Sequence, residues 1–122
     1  MTLWCHWNYE AVLANSWNIP ALLEKEIRER DTMCVYCRVT FGADGTRKTS
    51  ASWEHIVNDA RIITRGNIAL CCISCNASKG TKDLAVWLAS DYCRKRGITE
   101  LTVADVVQRA LSKPRTLNAA DV

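Results

Sequence analysis

Four of the seven cysteines fall into two C-x2-C pairs, Cys34-Val35-Tyr36-Cys37 and Cys72-Ile73-Ser74-Cys75. In such a pair a tight turn can bring two thiolates onto one tetrahedral ion, and two pairs supply the four soft donors of a closed zinc site. Two other readings compete with metal. Disulfide scaffolds belong to secreted chains too small to build a core, and inert buried thiols obey no spacing rule. A chain of 122 residues can build a core, and the spacing here is regular, so structural zinc on Cys34, Cys37, Cys72 and Cys75 is expected. Cys5, Cys71 and Cys93 are left over and read as buried thiols. Of the neighbours Cys71 and Cys72, only Cys72 keeps the two-residue spacer to Cys75.

Zinc ribbons separate their pairs by roughly 15 to 20 residues, whereas 34 lie between Cys37 and Cys72. Within them is the sole histidine outside the N-terminal segment, His55, in Trp53-Glu54-His55-Ile56-Val57-Asn58-Asp59. A lone histidine on an apolar strand is ordinarily a satisfied core residue. The ordered neighbours of this one argue otherwise. Cys34-x2-Cys37, then Glu54-His55-Ile56, then Asn67-Ile68-Ala69-Leu70-Cys71-Cys72-x2-Cys75-Asn76-x2-Lys79-Gly80 resembles an HNH endonuclease of the ββα-metal type with a four-cysteine zinc site. The matching stretch covers 47 of the 122 residues and leaves the flanking helices outside it.

The resemblance implies a metal-dependent DNA endonuclease. His55 would be the general base that takes a proton from the attacking water, a role suited to imidazole because its ordinary pKa lies near neutrality. Asn67 would tie the loop together and hold that base in orientation. Glu54 and Asn76 would hold one catalytic Mg²⁺ or Mn²⁺, hard ions that take oxygen donors. Zinc enclosed by four thiolates has no open position and would be structural. Lys79 matches the motif lysine, and with Arg61, Arg65 and Lys82 is expected at DNA phosphates. Glu54 stands where the family usually has Asp or His, so a shifted ligand or the nearby Asp59 is a second expectation for the ion. The alternative function is a catalytically silent zinc-knuckle module that grips DNA or protein. RNA as substrate is a third reading. One active site cuts one strand, so double-strand cleavage needs a homodimer or two successive nicks.

These residues need elements to position them. Asn18 and Pro20 mark a helix start, Ile19, Leu22, Leu23 and Ile27 give it an apolar stripe, and Glu24 with Arg28 and Glu26 with Arg30 offer i,i+4 pairs before an end near Asp31. The metal-bearing stretch reads as strand Ser50 to Val57, a loop, strand Asn67 to Cys71, and a helix over Asn76 to Lys82. Leu84, Trp87, Leu88 and Tyr92 give one helix stopped by Gly97. A last helix follows Thr102 as N-cap, with Val103, Val106, Val107, Ala110 and Leu111 on its stripe. The expected fold is α+β, one domain over 1–122: an N-terminal helical segment 1–31, a ββα-metal core with zinc knuckles 32–83, and C-terminal helices 84–122.

Composition agrees with a single globular domain, at 48% hydrophobic and 24% charged. No run approaches the roughly 18 apolar residues of a membrane helix, and the first residues lack a basic stretch followed by an apolar one, so a cytoplasmic protein without membrane contact is expected. The formal net charge of +3 falls by two, to +1, with four thiolates and one zinc ion. Bulk charge therefore does not indicate a nucleic-acid partner; local charge must.

Overall fold

The computed structural model describes residues 17–113. The expectations for Cys5, for the N-terminal segment before Trp17 and for the chain after Lys113 concern residues outside these. The described chain is a small α+β fold: α1 (Ala21–Arg30), β1 (Ala51–His55), β2 (Ile68–Cys72), α2 (Ile73–Lys79), α3 (Leu84–Leu88), α4 (Asp91–Arg96) and α5 (Asp105–Ser112). Among the described residues no helix is long and apolar enough to cross a membrane.

β1 and β2 form a two-stranded antiparallel sheet in the register Ala51↔Cys72, Trp53↔Leu70 and His55↔Ile68. Two strands alone are marginal in water, so both faces must be covered. Ala51, Trp53, Ile68 and Leu70 pack with Ile19 and Ile27 of the α1 segment. Ala69 and Cys71, on the opposite face, join Tyr36, Trp87, Cys93 and Val107 in the larger cluster. Every residue of β2 is consequently buried. Trp87 sits fully inside, edge-on to Tyr36 at 4.8 Å between ring centroids, and its indole N–H donates to Ser78 Oγ at 2.9 Å, so its polar atom is not stranded.

α1 ends where Asp31 turns inward. Its buried carboxylate accepts from the Arg30 guanidinium and from the Leu70 amide at 3.1 Å, pinning the helix to β2. Arg28 pairs with Glu24 as the spacing predicts, but Glu26 does not pair with Arg30. Arg30 is drawn to Asp31 and to the carbonyls of Arg65 and Ile68, and Glu26 instead takes Arg65 at 2.7 Å.

Three element boundaries differ from expectation. α2 begins at Ile73 rather than Asn76, because Cys72 is its N-cap and its sulfur accepts from the Cys75 amide; it ends at Gly80, whose φ of 52° breaks the helix. The single helix expected from Leu84 to Gly97 is two. Ser90 caps a new helix by accepting from the Cys93 amide, and Gly97 closes it in the left-handed conformation. The last helix starts after Ala104, not Thr102, because the Thr102 hydroxyl is used in a turn, accepting from Thr99 N at 2.8 Å.

Candidate metal centre and histidine site

The first knuckle is a turn closed by Cys34 N–H to Val39 O at 2.8 Å and Arg38 N–H to Cys34 O at 3.0 Å, with Arg38 in the left-handed region at φ 69°. The Val35 amide donates to Leu70 O at 3.1 Å and fastens this knuckle across β2, while the second knuckle is the β2–α2 junction itself. Hydrogen bonding of the sheet thus brings together two pairs that are far apart in sequence. The four sulfurs all lie within 4.8 Å of one another. With zinc–sulfur bonds of about 2.3 Å, a tetrahedron has sulfurs about 3.8 Å apart; Cys37 Sγ and Cys72 Sγ are 3.8 Å apart.

Mutual hydrogen bonding spreads the four thiols over a wide range of acidity. Hydrogen bonding from Cys34, Cys72 and Cys75 holds the Cys37 thiol far below the ordinary range, while the same contacts with Cys34 and Cys37 drive Cys72 and Cys75 far above it. Cys34 is also lowered, to about 7, so two thiols of the cluster ionise readily and two resist, and a divalent ion would favour the thiolate form of all four. Backbone N–H groups already face the sulfurs, Cys37 N to Cys34 Sγ and Cys75 N to Cys72 Sγ at 3.4 Å each, and the Tyr92 hydroxyl donates to Cys75 Sγ at 3.3 Å. Cys71 and Cys93 are buried outside the cluster, and none of the described cysteines forms a disulfide. The four cysteines can bind a metal such as zinc, and the donor set fits it.

His55 ends β1. Alternation along a strand sends adjacent side chains to opposite faces, and Glu54 and His55 are separated in this way. His55 stacks on Trp17 on the α1 side, ring centroids 4.1 Å apart, and is 7% exposed. Burial holds its imidazole below the usual histidine pKa, with Asp59 opposing and Lys79 adding to the shift. Its Nε2 is buried without a hydrogen-bond partner among the described residues. The loop beyond it is tied by one side chain: Asn67 Oδ1 accepts from Val57 N at 2.7 Å, and Asn67 Nδ2 donates to Val57 O at 3.2 Å and Ile62 O at 3.1 Å.

On the opposite face Glu54 is 4% exposed, and its Oε2 accepts from the Tyr36 hydroxyl at 2.5 Å and from Lys79 Nζ at 2.9 Å. Burial raises the Glu54 pKa, against the pull of Lys79. Lys79 is buried, 1% exposed, and its ammonium also donates to His55 O at 3.3 Å. Asn76 lies on the same side, its Nδ2 donating to Ser52 Oγ and Trp53 O at 3.0 Å. A carboxylate and an amide are suitable donors for Mg²⁺ or Mn²⁺, but as arranged they do not fit that ion. The carboxylate is already neutralised by a buried ammonium, beside which a dication would meet repulsion.

The expected phosphate contacts are also occupied differently. Lys79 is internal, and Arg61 and Arg65 are exposed but paired with Asp59 at 2.8 Å and Glu26 at 2.7 Å. Lys82 is exposed, its ammonium on Ser78 O. Asp59 also caps its own turn by accepting from Arg61 N. Sequence reasoning missed Tyr36, Tyr92 and Trp17, the side chains that touch Glu54, Cys75 and His55. Tyr36, within the first C-x2-C, is the one a sequence signal marked, by sitting between two ligands. Compared with family models, curated proteins and solved structures, the chain matches none.

Proposed function

We propose that this chain is an HNH-type endonuclease of the ββα-metal class, in which a structural zinc centre holds a strand pair and helix so that His55 acts as general base in phosphodiester hydrolysis of DNA. The observation that carries the reading is the buried Nε2 of His55, which has no hydrogen-bond partner among the described residues. Leaving a buried polar nitrogen unbonded costs about 1–3 kcal/mol, and keeping it free for a reactant's proton accounts for that cost. Burial lowers the affinity of the ring for a proton, so it is neutral and able to accept one at neutral pH. Asn67 fixes the loop that follows His55, and Lys79 holds the His55 carbonyl, so the base is restrained on both sides.

The reading implies a requirement for Mg²⁺ or Mn²⁺, which Glu54 and Asn76 as arranged do not provide for, and a plasmid assay tests whether either ion is needed. Supercoiled plasmid is incubated with the zinc-loaded chain in Mg²⁺, in Mn²⁺ and after removal of both, beside His55→Ala. Nicking by the wild type that is lost in His55→Ala supports the base. Equal nicking by both discards it. A second reading, a zinc-knuckle module that binds without cutting, is favoured by one observation: Glu54 and Lys79 serve the interior. Absence of nicking with either ion supports that module.

A further inference from the structure

Between the first knuckle and α5 runs an open groove of about 600 Å³, whose lining includes Arg30, Arg38, Arg65, Arg109 and Lys113 with the carboxylates Asp31 and Asp105. Its surplus of three positive charges equals the formal net charge of the whole chain, so the remainder of the sequence nets to zero. Three of the cations have carboxylate partners: Arg30 with the buried Asp31, Arg65 with Glu26 and Arg109 with Asp105 at 2.8 Å. Arg38 and Lys113 have none among the described residues. Arg38 Nη1 reaches only the Cys34 carbonyl, at 3.5 Å.

Gly66, Ala110 and Lys113 also line a smaller cavity of about 190 Å³ bounded by Ile56, Val57, Asn58 and Asn67, the loop that follows His55. The basic groove therefore leads up to the histidine end of the hairpin. Four of its five cations are arginines, whose planar forks match phosphate oxygens in pairs. They come from α1, the first knuckle, the loop before β2 and the end of α5, around one open groove, so it offers a polyanion several phosphate contacts from separate segments of the chain.

We propose that this groove binds the sugar–phosphate backbone of duplex DNA, through Arg38 and Lys113 and through Arg109, whose pair with Asp105 is exposed on both sides and so is readily exchanged for phosphate. The proposal rests on the reading that the chain acts on DNA, and it assigns that contact to residues that the motif does not include. Because Arg38 is part of the first knuckle, the zinc centre shapes this surface as well as the hairpin.

The test is fluorescence anisotropy of a short labelled duplex with the zinc-loaded chain and no Mg²⁺ or Mn²⁺, titrated over a range of salt. Wild type is compared with the triple variant Arg38→Gln, Arg109→Gln, Lys113→Gln and with the control Arg94→Gln, Lys95→Gln on α4. Zinc content and thermal midpoint verify each fold. Each lost phosphate contact lowers the slope of log affinity against log salt by about 0.9. The expected result is a slope reduced by about 2 to 3 in the triple variant, binding weakened about tenfold or more near 0.1 M salt, and an unchanged control. A folded triple variant with the wild-type slope, a control that weakens equally, or a wild type that does not bind the duplex overturns the proposal. Groove-dependent binding without nicking in any ion leaves the groove standing and removes the nuclease reading.

Discussion

Removing Lys79 tests the buried pair most sharply. At an effective dielectric near 20, an ion pair 2.9 Å apart gains about 6 kcal/mol of attraction. Desolvation costs several kcal/mol per ion, so the intact pair is close to balanced. Breaking it is different, since the remaining charge stays buried without compensation, at about 3–5 kcal/mol. Lys79→Met should therefore lower the unfolding midpoint by about 10–20 °C in a domain of this size. Glu54→Gln alone should also destabilise, while the double variant Glu54→Gln/Lys79→Met should recover part of the loss and give a coupling energy above about 1 kcal/mol in the cycle. Thermal and denaturant unfolding of the zinc-loaded proteins provide the four values. A Lys79→Met variant less than about 1 kcal/mol below wild type, with additive effects in the double variant, would refute the reasoning and return Lys79 to the surface role first expected of it.

Three further outcomes follow from the histidine site. Asn67→Ala removes three hydrogen bonds from the loop after His55 and should cost about 2–3 kcal/mol of stability, measured by urea unfolding, with nicking reduced less than in His55→Ala. Trp17→Ala uncovers the His55 ring; because burial is what lowers its pKa, the value should move up toward the ordinary 6.5, read by NMR titration of the imidazole. Nicking should rise with pH through an inflection below 6.5, because the base acts when neutral and its pKa is depressed in the fold; a profile that falls over that range would contradict the assignment.

The metal centre was legible because its information is local: two C-x2-C turns each present two sulfurs wherever they are placed, and the strands between them needed only to bring the turns together. The strand pair was legible to within one or two residues at all four ends for the same reason. Strand alternation, readable in principle from Glu54 and His55 being adjacent, also implied opposite faces for them, a consequence that outweighs their proximity in the motif. Lys79 was not legible as an interior residue. Its surroundings, Asn76 to Lys82, are polar, and nothing local reports the buried carboxylate that receives it. The break between α3 and α4 had a signal in Ser90 followed by Asp91, a serviceable N-cap and first-turn acid, but the apolar spacing of Leu84, Trp87 and Tyr92 runs through it. Thr102 had the chemistry of a cap and lost the role to a turn that uses its hydroxyl first.

The proposed reading depends on Cys34, Cys37, Cys72 and Cys75, whose sulfurs lie together, holding one zinc ion, and X-ray absorption at the zinc edge of the purified chain tests that directly. The account predicts one zinc per chain with four sulfur neighbours at about 2.3 Å and no nitrogen or oxygen in the shell. A chain that folds without zinc, or a zinc with fewer than four sulfurs, would contradict it.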